Sequence, residues 1–260
     1  MSDENYKLHQ WFDTPPGHYL LAWEQERYDE LVVDVFGYHA LQLGMPGLQA
    51  LRANRMPHRW LALGSDAELR MAQAEAAAQA VPPAMLAEAV ALPFPEASLD
   101  LVALPHTLEL SVDPHAALRE VYRVLVPEGR VVISGLNPWS LWGLRQGRAR
   151  LYQRLGGGGQ LYLPDVGEFL SPGRLRDWLR LLGFELESVS FGCYRPAATT
   201  DRWLQRHAWI EGLGARWWPI LGAGYVIVAA KRVQGMRLLE PSWRKAPRTA
   251  GAQVQVARRH

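Results

Sequence analysis

The chain has 260 residues, 48% of them hydrophobic, and a formal net charge of +2. That suffices for one large core with a small appendage. A single cysteine, Cys193, excludes a disulfide framework, and no run approaches the ~20 apolar residues of a membrane helix. The chain opens on Met1-Ser2-Asp3-Glu4 without a signal peptide, so the expected compartment is the cytoplasm.

Residues 1–18 read as irregular, with Thr14-Pro15-Pro16-Gly17 as a turn and Trp11 and Phe12 as apolar anchors. A helix is expected from Tyr19 to near Gly37-Tyr38, lying against the sheet. Ala40 to Gly44 is the first candidate strand. Met45-Pro46-Gly47 turns it into a short helix over 48–54. Trp60 to Leu63 is the second strand, followed by an alanine-rich helix over 67–80 that Pro82-Pro83 breaks. Ala84 to Ala89 is a short third strand.

The clearest pattern runs from Glu88 to Asn137. Leu99 to Leu104 is a nearly unbroken apolar run, as in a strand covered on both faces. Asp113 suits an N-cap and Pro114 the first helical position. Leu118, Val121 and Leu125 recur at helical spacing, and Pro127-Glu128-Gly129 ends that helix. Val131 to Ile133 is the next strand, so strand, helix and strand form a parallel crossover.

Beyond it, a helix from Ser140 to about Leu155 mixes Leu141, Leu144, Leu151 and Leu155 with four arginines. Those arginines form a solvated face or meet an anionic substrate. Gly156 to Gly159 is a joint. Ser171-Pro172-Gly173 opens a helix that Gly183 closes, and Phe184 to Phe191 is a strand. A helix from Asp201 to about Leu213 and a last strand from Gly224 to Lys231 complete the body. From Lys231 onward eight Lys/Arg face one acid, Glu240. Residues 233–260 therefore read as a disordered basic tail, either a solvated arm or a contact for nucleic acid or anionic lipid.

Leu92-Pro93-Phe94, Leu99-Asp100, Asp113-Pro114, Leu118-Arg119-Glu120 and the run Arg123 to Gly129 resemble the landmarks of one family. This is the class I S-adenosylmethionine (SAM)-dependent methyltransferases, in the type 11 branch. The resemblance implies an α/β fold: an open, mostly parallel seven-stranded sheet, helices on both faces and the last strand antiparallel. It implies one domain over 1–232, with an N-terminal cover over 1–38 and a substrate-side insertion over 138–172. It also implies S-adenosyl-L-methionine as cofactor and a small-molecule methyl acceptor.

The chain departs from the family at the cofactor loop. Gln42 stands where relatives keep an acid, Gly44 matches the first loop glycine, and Pro46 stands near the second. Gly64 stands where relatives end the second strand with an acid. Proline cannot copy a glycine's conformations. A second reading therefore stays open, a non-catalytic binding or regulatory module on the same fold.

Ligands of open parallel sheets bind beyond the carboxyl ends of the strands. That rule selects Gly44 to Gly47, Gly64 to Asp66, Glu88-Ala89, Pro105-His106-Thr107 and Asn137-Pro138-Trp139. Read with the resemblance, the cofactor-binding set is Gly44, Gly47, Asp66, Glu88, Ala89, Pro105 and His106. Glu88 replaces an Asp that accepts the adenine amino group's hydrogen bond in relatives. Asp66 reaches the ribose or caps the following helix. His106 is the candidate catalytic residue, because imidazole takes a proton readily near pH 7. Methyl transfer aligned by binding alone needs no base, so a backbone-capping role is its alternative. Asn137 and Trp139 are candidate substrate contacts, or a turn and a core residue. The histidines lack metal-ligand spacing, so no metal is expected.

Overall fold

The structure is a computed structural model, and it describes residues 2–74, 80–156, 161–164 and 169–232. Seven strands form one sheet in the order β3-β2-β1-β4-β5-β7-β6. They are β1 (His39–Leu43), β2 (His58–Leu63), β3 (Pro83–Leu86), β4 (Leu99–Pro105), β5 (Leu125–Leu136), β6 (Phe184–Gly192) and β7 (Gly224–Lys231). β7 pairs antiparallel with both β5 and β6, and the other pairs are parallel. Six strands therefore end at one edge of the sheet, and β7 begins there.

Alternation along the central strands divides the core. Leu101 and Ala103 of β4 point to one cluster, with Val132 and with Leu20, Tyr28 and Val32 of α2 (Pro15–Val32). Val102 and Leu104 point to the other, with Ile133, with Leu118 and Val121 of α5 (Pro114–Val124), and with Leu175 and Leu179 of α7 (Pro172–Leu181). Each such leucine, isoleucine or valine contributes ~1.5–3 kcal/mol on burial.

The remaining helices are α1 (Ser2–Phe12), α3 (Asp66–Ala74), α4 (Thr107–Leu110), α6 (Leu141–Arg154), α8 (Asp201–Arg206) and α9 (Trp209–Trp217). The crossover forms as expected: the Asp113 carboxylate accepts from the Ala116 N–H at 2.8 Å and Pro114 opens α5.

The start of the chain is not irregular. Helix α1 packs against α2, and Pro15 and Pro16 lie in the first turn of α2, where a missing N–H costs nothing. Gly17 permits the corner, since a Cβ there would stand 2.3 Å from the Trp11 carbonyl oxygen. α2 stops at Val32, short of Gly37. Residues 48–54 form turns rather than a helix. β3 ends at Leu86, three residues before the expected end, and β5 starts at Leu125, directly after α5. The helix expected from Asp201 is two, broken at His207-Ala208. The tail, 233–260, lies outside the described residues, as does most of the Gly156 to Gly159 joint.

The sequence landmarks turn out to be braces. Glu120 accepts from the Leu92 N–H at 2.9 Å and binds Arg123, which donates to the carbonyls of Leu92 and Phe94. This pair holds the Leu-Pro-Phe loop against α5. Asp100 accepts from the N–H groups of Tyr38 and His39 at 2.8 and 2.9 Å and ties the start of β1 to β4.

Candidate active site

A crevice opens at the carboxyl ends of β1, β2, β3 and β4. Its empty volume, counted out into open solvent at the mouth, is about 680 Å3. Gly44, Ala89, Pro105 and Thr107 form its apolar bed, and Val90 and Val112 flank its mouth. Glu68 and Glu88 bring carboxylates to it.

Gly44 has φ +70, a left-handed conformation that glycine takes without strain. The loop it begins is held by Gln42, which is buried. Its amide nitrogen donates to the carbonyls of Gly44, Met45 and Leu48 at 3.2, 3.1 and 2.6 Å. Its amide oxygen accepts from the Ala50 N–H at 3.0 Å. A neutral amide can both donate and accept, and a carboxylate cannot. The amide thus fixes a loop that lacks the usual glycines, and it explains why 48–54 does not become helical. Pro46 and Gly47 line a neighbouring hollow with His9, Phe12 and Asp13, so the proline does not plug the crevice.

Asp66 is exposed and is not in the crevice lining; its place is taken by Glu68. Ser65 accepts from the Glu68 N–H at 3.3 Å, and the Glu68 carboxylate reaches back to the Gly64 N–H at 3.1 Å. This resembles a capping box, so Ser65 rather than Asp66 caps α3. The Ser-x-x-Glu spacing was the signal that could have revealed Glu68. Glu88 lies beyond β3 in a turn bridged to Ala91, exposed and facing the crevice.

His106 is fully buried and does not line the crevice. Its Nδ1 meets Glu109 at 2.7 Å and its Nε2 meets Glu24 of α2 at 3.0 Å. Burial opposes its charge, but the carboxylates of Glu24 and Glu109 outweigh it, and its pKa is pushed up to about 10. Glu109 also accepts from the Leu136 N–H at 2.6 Å. Both ring nitrogens are engaged and protonated near neutral pH. The expected role as proton acceptor therefore gives way to that of a buried cation joining α2, β4 and β5.

Asn137 and Trp139 likewise fall outside the crevice lining. The Asn137 amide nitrogen donates to the carbonyls of Ile220 and Gly222 at 2.7 and 2.9 Å. It is a brace between the β5 end and the 3-10 turn Pro219–Leu221, and Trp139 is 67% exposed to solvent. Of the expected site residues, the crevice brings together Gly44, Glu88, Ala89 and Pro105. Sequence reasoning missed Glu68; the strand-end rule did select Thr107, whose hydroxyl donates to the Leu43 carbonyl at 2.6 Å and holds the β1 and β4 ends together.

This sheet order with a crevice across the first four strand ends defines a class I SAM-dependent methyltransferase fold. The chain belongs to that family. Residues 41–133 match the family described as methyltransferase domain. The chain is 30% identical over 223 residues to the uncharacterized protein YafS of Escherichia coli K12, covering 85% of this chain and 80% of that one. Over 119 residues it is 35% identical to the demethylmenaquinone methyltransferase of Thermus thermophilus, covering 41% of this chain and 54% of that one. A SAM-dependent methyltransferase from Mesorhizobium loti shares the fold, with TM-score 0.54, 18% identity and coverage of 79% and 96%.

Proposed function

We propose that this chain transfers the methyl group of S-adenosylmethionine, held in the crevice, to a small-molecule acceptor. The observation that carries this reading is the crevice: an apolar bed with a left-handed glycine at one end and carboxylates at the other. Such a bed suits a flat base. Glu88 accepts a hydrogen bond from an exocyclic amine, and Glu68, which accepts from the Gly64 N–H and stands 3.7 Å from His9, brings its carboxylate to the ribose hydroxyls at the crevice wall. Gly44 lets the chain approach the methionine end closely.

When bound, the sulfonium supplies an electrophilic methyl carbon. The protein's part is to orient donor and acceptor in line and to exclude water, which alone can contribute a large rate factor. His106 supports the strand ends and removes no proton from the acceptor. The name of the Thermus relative points to a quinone ring for that protein. An apolar ring compound is the acceptor class to test first here.

The non-catalytic reading rested on Gln42, Pro46 and Gly64. Each occupies a place that leaves the crevice open, which favours the enzyme. Thermal melting with S-adenosylhomocysteine tests the binding step. At ~100 times its dissociation constant the ligand adds about 2.7 kcal/mol and raises the melting temperature. No shift at millimolar ligand refutes the proposal. Binding without transfer of labelled methyl to any extracted small molecule favours the regulatory module.

A further inference from the structure

We propose that the helices beside the crevice edge, α6, α8 and α9 with the 3-10 turn after them, dock this protein on an anionic lipid surface. All four elements sit at the sheet edge where β5 and β6 end and β7 begins. They are held rigidly there. Asn137 ties the turn to the start of α6, and the Trp142 indole donates to the Arg195 carbonyl at 2.8 Å. Arg145 donates to the Ala197 carbonyl, and Glu211 accepts from the Cys193 N–H at 3.0 Å.

The exposed side chains there are unusual. Trp139, Trp203, Trp209, Trp217 and Trp218 are between 45% and 70% exposed, out of eleven tryptophans in the chain. Leu144, Leu155 and Ile220, on or next to the same elements, are exposed as well. Tryptophan pays for exposure unless its ring has an amphipathic medium, and the headgroup layer of a bilayer is one.

Charge selects among the partners. α6 carries Arg145, Arg148, Arg150 and Arg154 and no acid. α8 and α9 add Arg202, Arg206 and Arg216 against Asp201 and Glu211, and Glu211 turns inward to Tyr19 and Cys193. Arg145 is engaged with the Ala197 carbonyl and the Tyr162 ring, and Arg150 is not free either; the other five arginines against two acids complement anionic headgroups, and long guanidinium stems let apolar neighbours sink while the charge stays wet. A second copy would set the same arginines against one another, so a symmetric dimer is disfavoured. Nucleic acid uses the arginines and gives the leucines and isoleucine nothing to bury against. Two hollows that share Arg145, Pro196 and Ala197, one with Leu144 and Arg148 and the other with Trp203 and His207, connect α6 to α8. The face is therefore continuous across the two helices. None of this depends on the identity of the methyl acceptor.

Co-sedimentation of the full chain with vesicles tests it. The protein is expected to bind phosphatidylcholine mixed with phosphatidylglycerol, to ignore phosphatidylcholine alone, and to release as salt rises. The pair Arg148→Gln and Arg154→Gln should weaken binding by roughly thirty-fold. The pair Trp203→Ser and Trp217→Ser should weaken it at least as much, with melting temperature as the check that each variant folds. Arg244→Gln with Lys245→Gln and Arg248→Gln, in the tail, should leave binding unchanged. No binding to the mixed vesicles overturns the proposal. So does loss of binding in the tail variant with retention in the face variants. Sedimentation that instead finds a dimer abolished by the tryptophan changes also overturns it.

Discussion

Replacing His106 by glutamine tests the buried charge cluster most directly. The imidazole is fully buried between Glu24 and Glu109, and its pKa stands at about 10 against ~6.5 for a free histidine. That difference corresponds to about 5 kcal/mol if all of it is expressed in the folding equilibrium. The folded state binds this proton more tightly than the unfolded one. The contribution is therefore complete below about pH 6.5 and disappears as pH rises towards 10, at ~1.4 kcal/mol per pH unit. Neighbouring Tyr28, Tyr225 and Cys193 do not confuse this window, because burial pushes all three upward. His106→Gln keeps a hydrogen-bond donor but leaves two carboxylates without their cation. A loss of ~3–5 kcal/mol is expected near neutral pH. Urea unfolding at several pH values between about 6.5 and 9.5 measures both effects. Wild-type stability should fall across that range and the variant's should fall much less. Parallel slopes, or an imidazole that titrates near 6.5 in the folded protein by NMR, would refute the reasoning. If His106→Gln does not fold, Glu109→Gln serves in its place, with a shallower slope expected.

Three further outcomes follow from the crevice and its loop. Gly44→Ala places a side chain at φ +70 and should cost ~1–2 kcal/mol in denaturant unfolding while weakening S-adenosylhomocysteine in calorimetry. Glu68→Gln should weaken that ligand about ten-fold by calorimetry, since a hydrogen bond to a charged group contributes ~1.5–3 kcal/mol, whereas Asp66→Ala should leave affinity unchanged. Gln42→Ala removes the amide that ties the loop carbonyls together and leaves the Ala50 N–H only its 3.1 Å bond to the Leu48 carbonyl, so unfolding free energy should drop by ~1–3 kcal/mol.

The strand–helix–strand crossover was legible because its signals are local. Asp113, Pro114 and the Leu118–Val121 stripe lie within one turn or two of what they specify. α1 was also written in the chain, since Leu8, Trp11 and Phe12 fall at i, i+3 and i+4, but Pro15-Pro16 reads as a turn unless it is placed at a helix start. Glu68 could have been found from its capping box, and attention to the family's acid favoured Asp66 instead. His106 could not be read correctly. One of its partners, Glu24, lies 82 residues away, and only the folded sheet brings that carboxylate to it. Gln42 appeared as a mismatch for the same reason that a brace is invisible without the beams it joins.

Glu24 belongs to α2, packed on one face of the sheet, and His106 to the turn after β4. Their contact bolts that helix to the strand ends. Swinging α2 away would expose or orphan buried charge at ~3–5 kcal/mol, so fewer than ~1% of molecules have it undocked at any moment. The crevice lining includes Val90 and Val112 and no residue of α1 or α2, so entry of a ligand does not require those helices to move. Turnover would then respond to the girth of those two side chains and be indifferent to tethering the first two helices together.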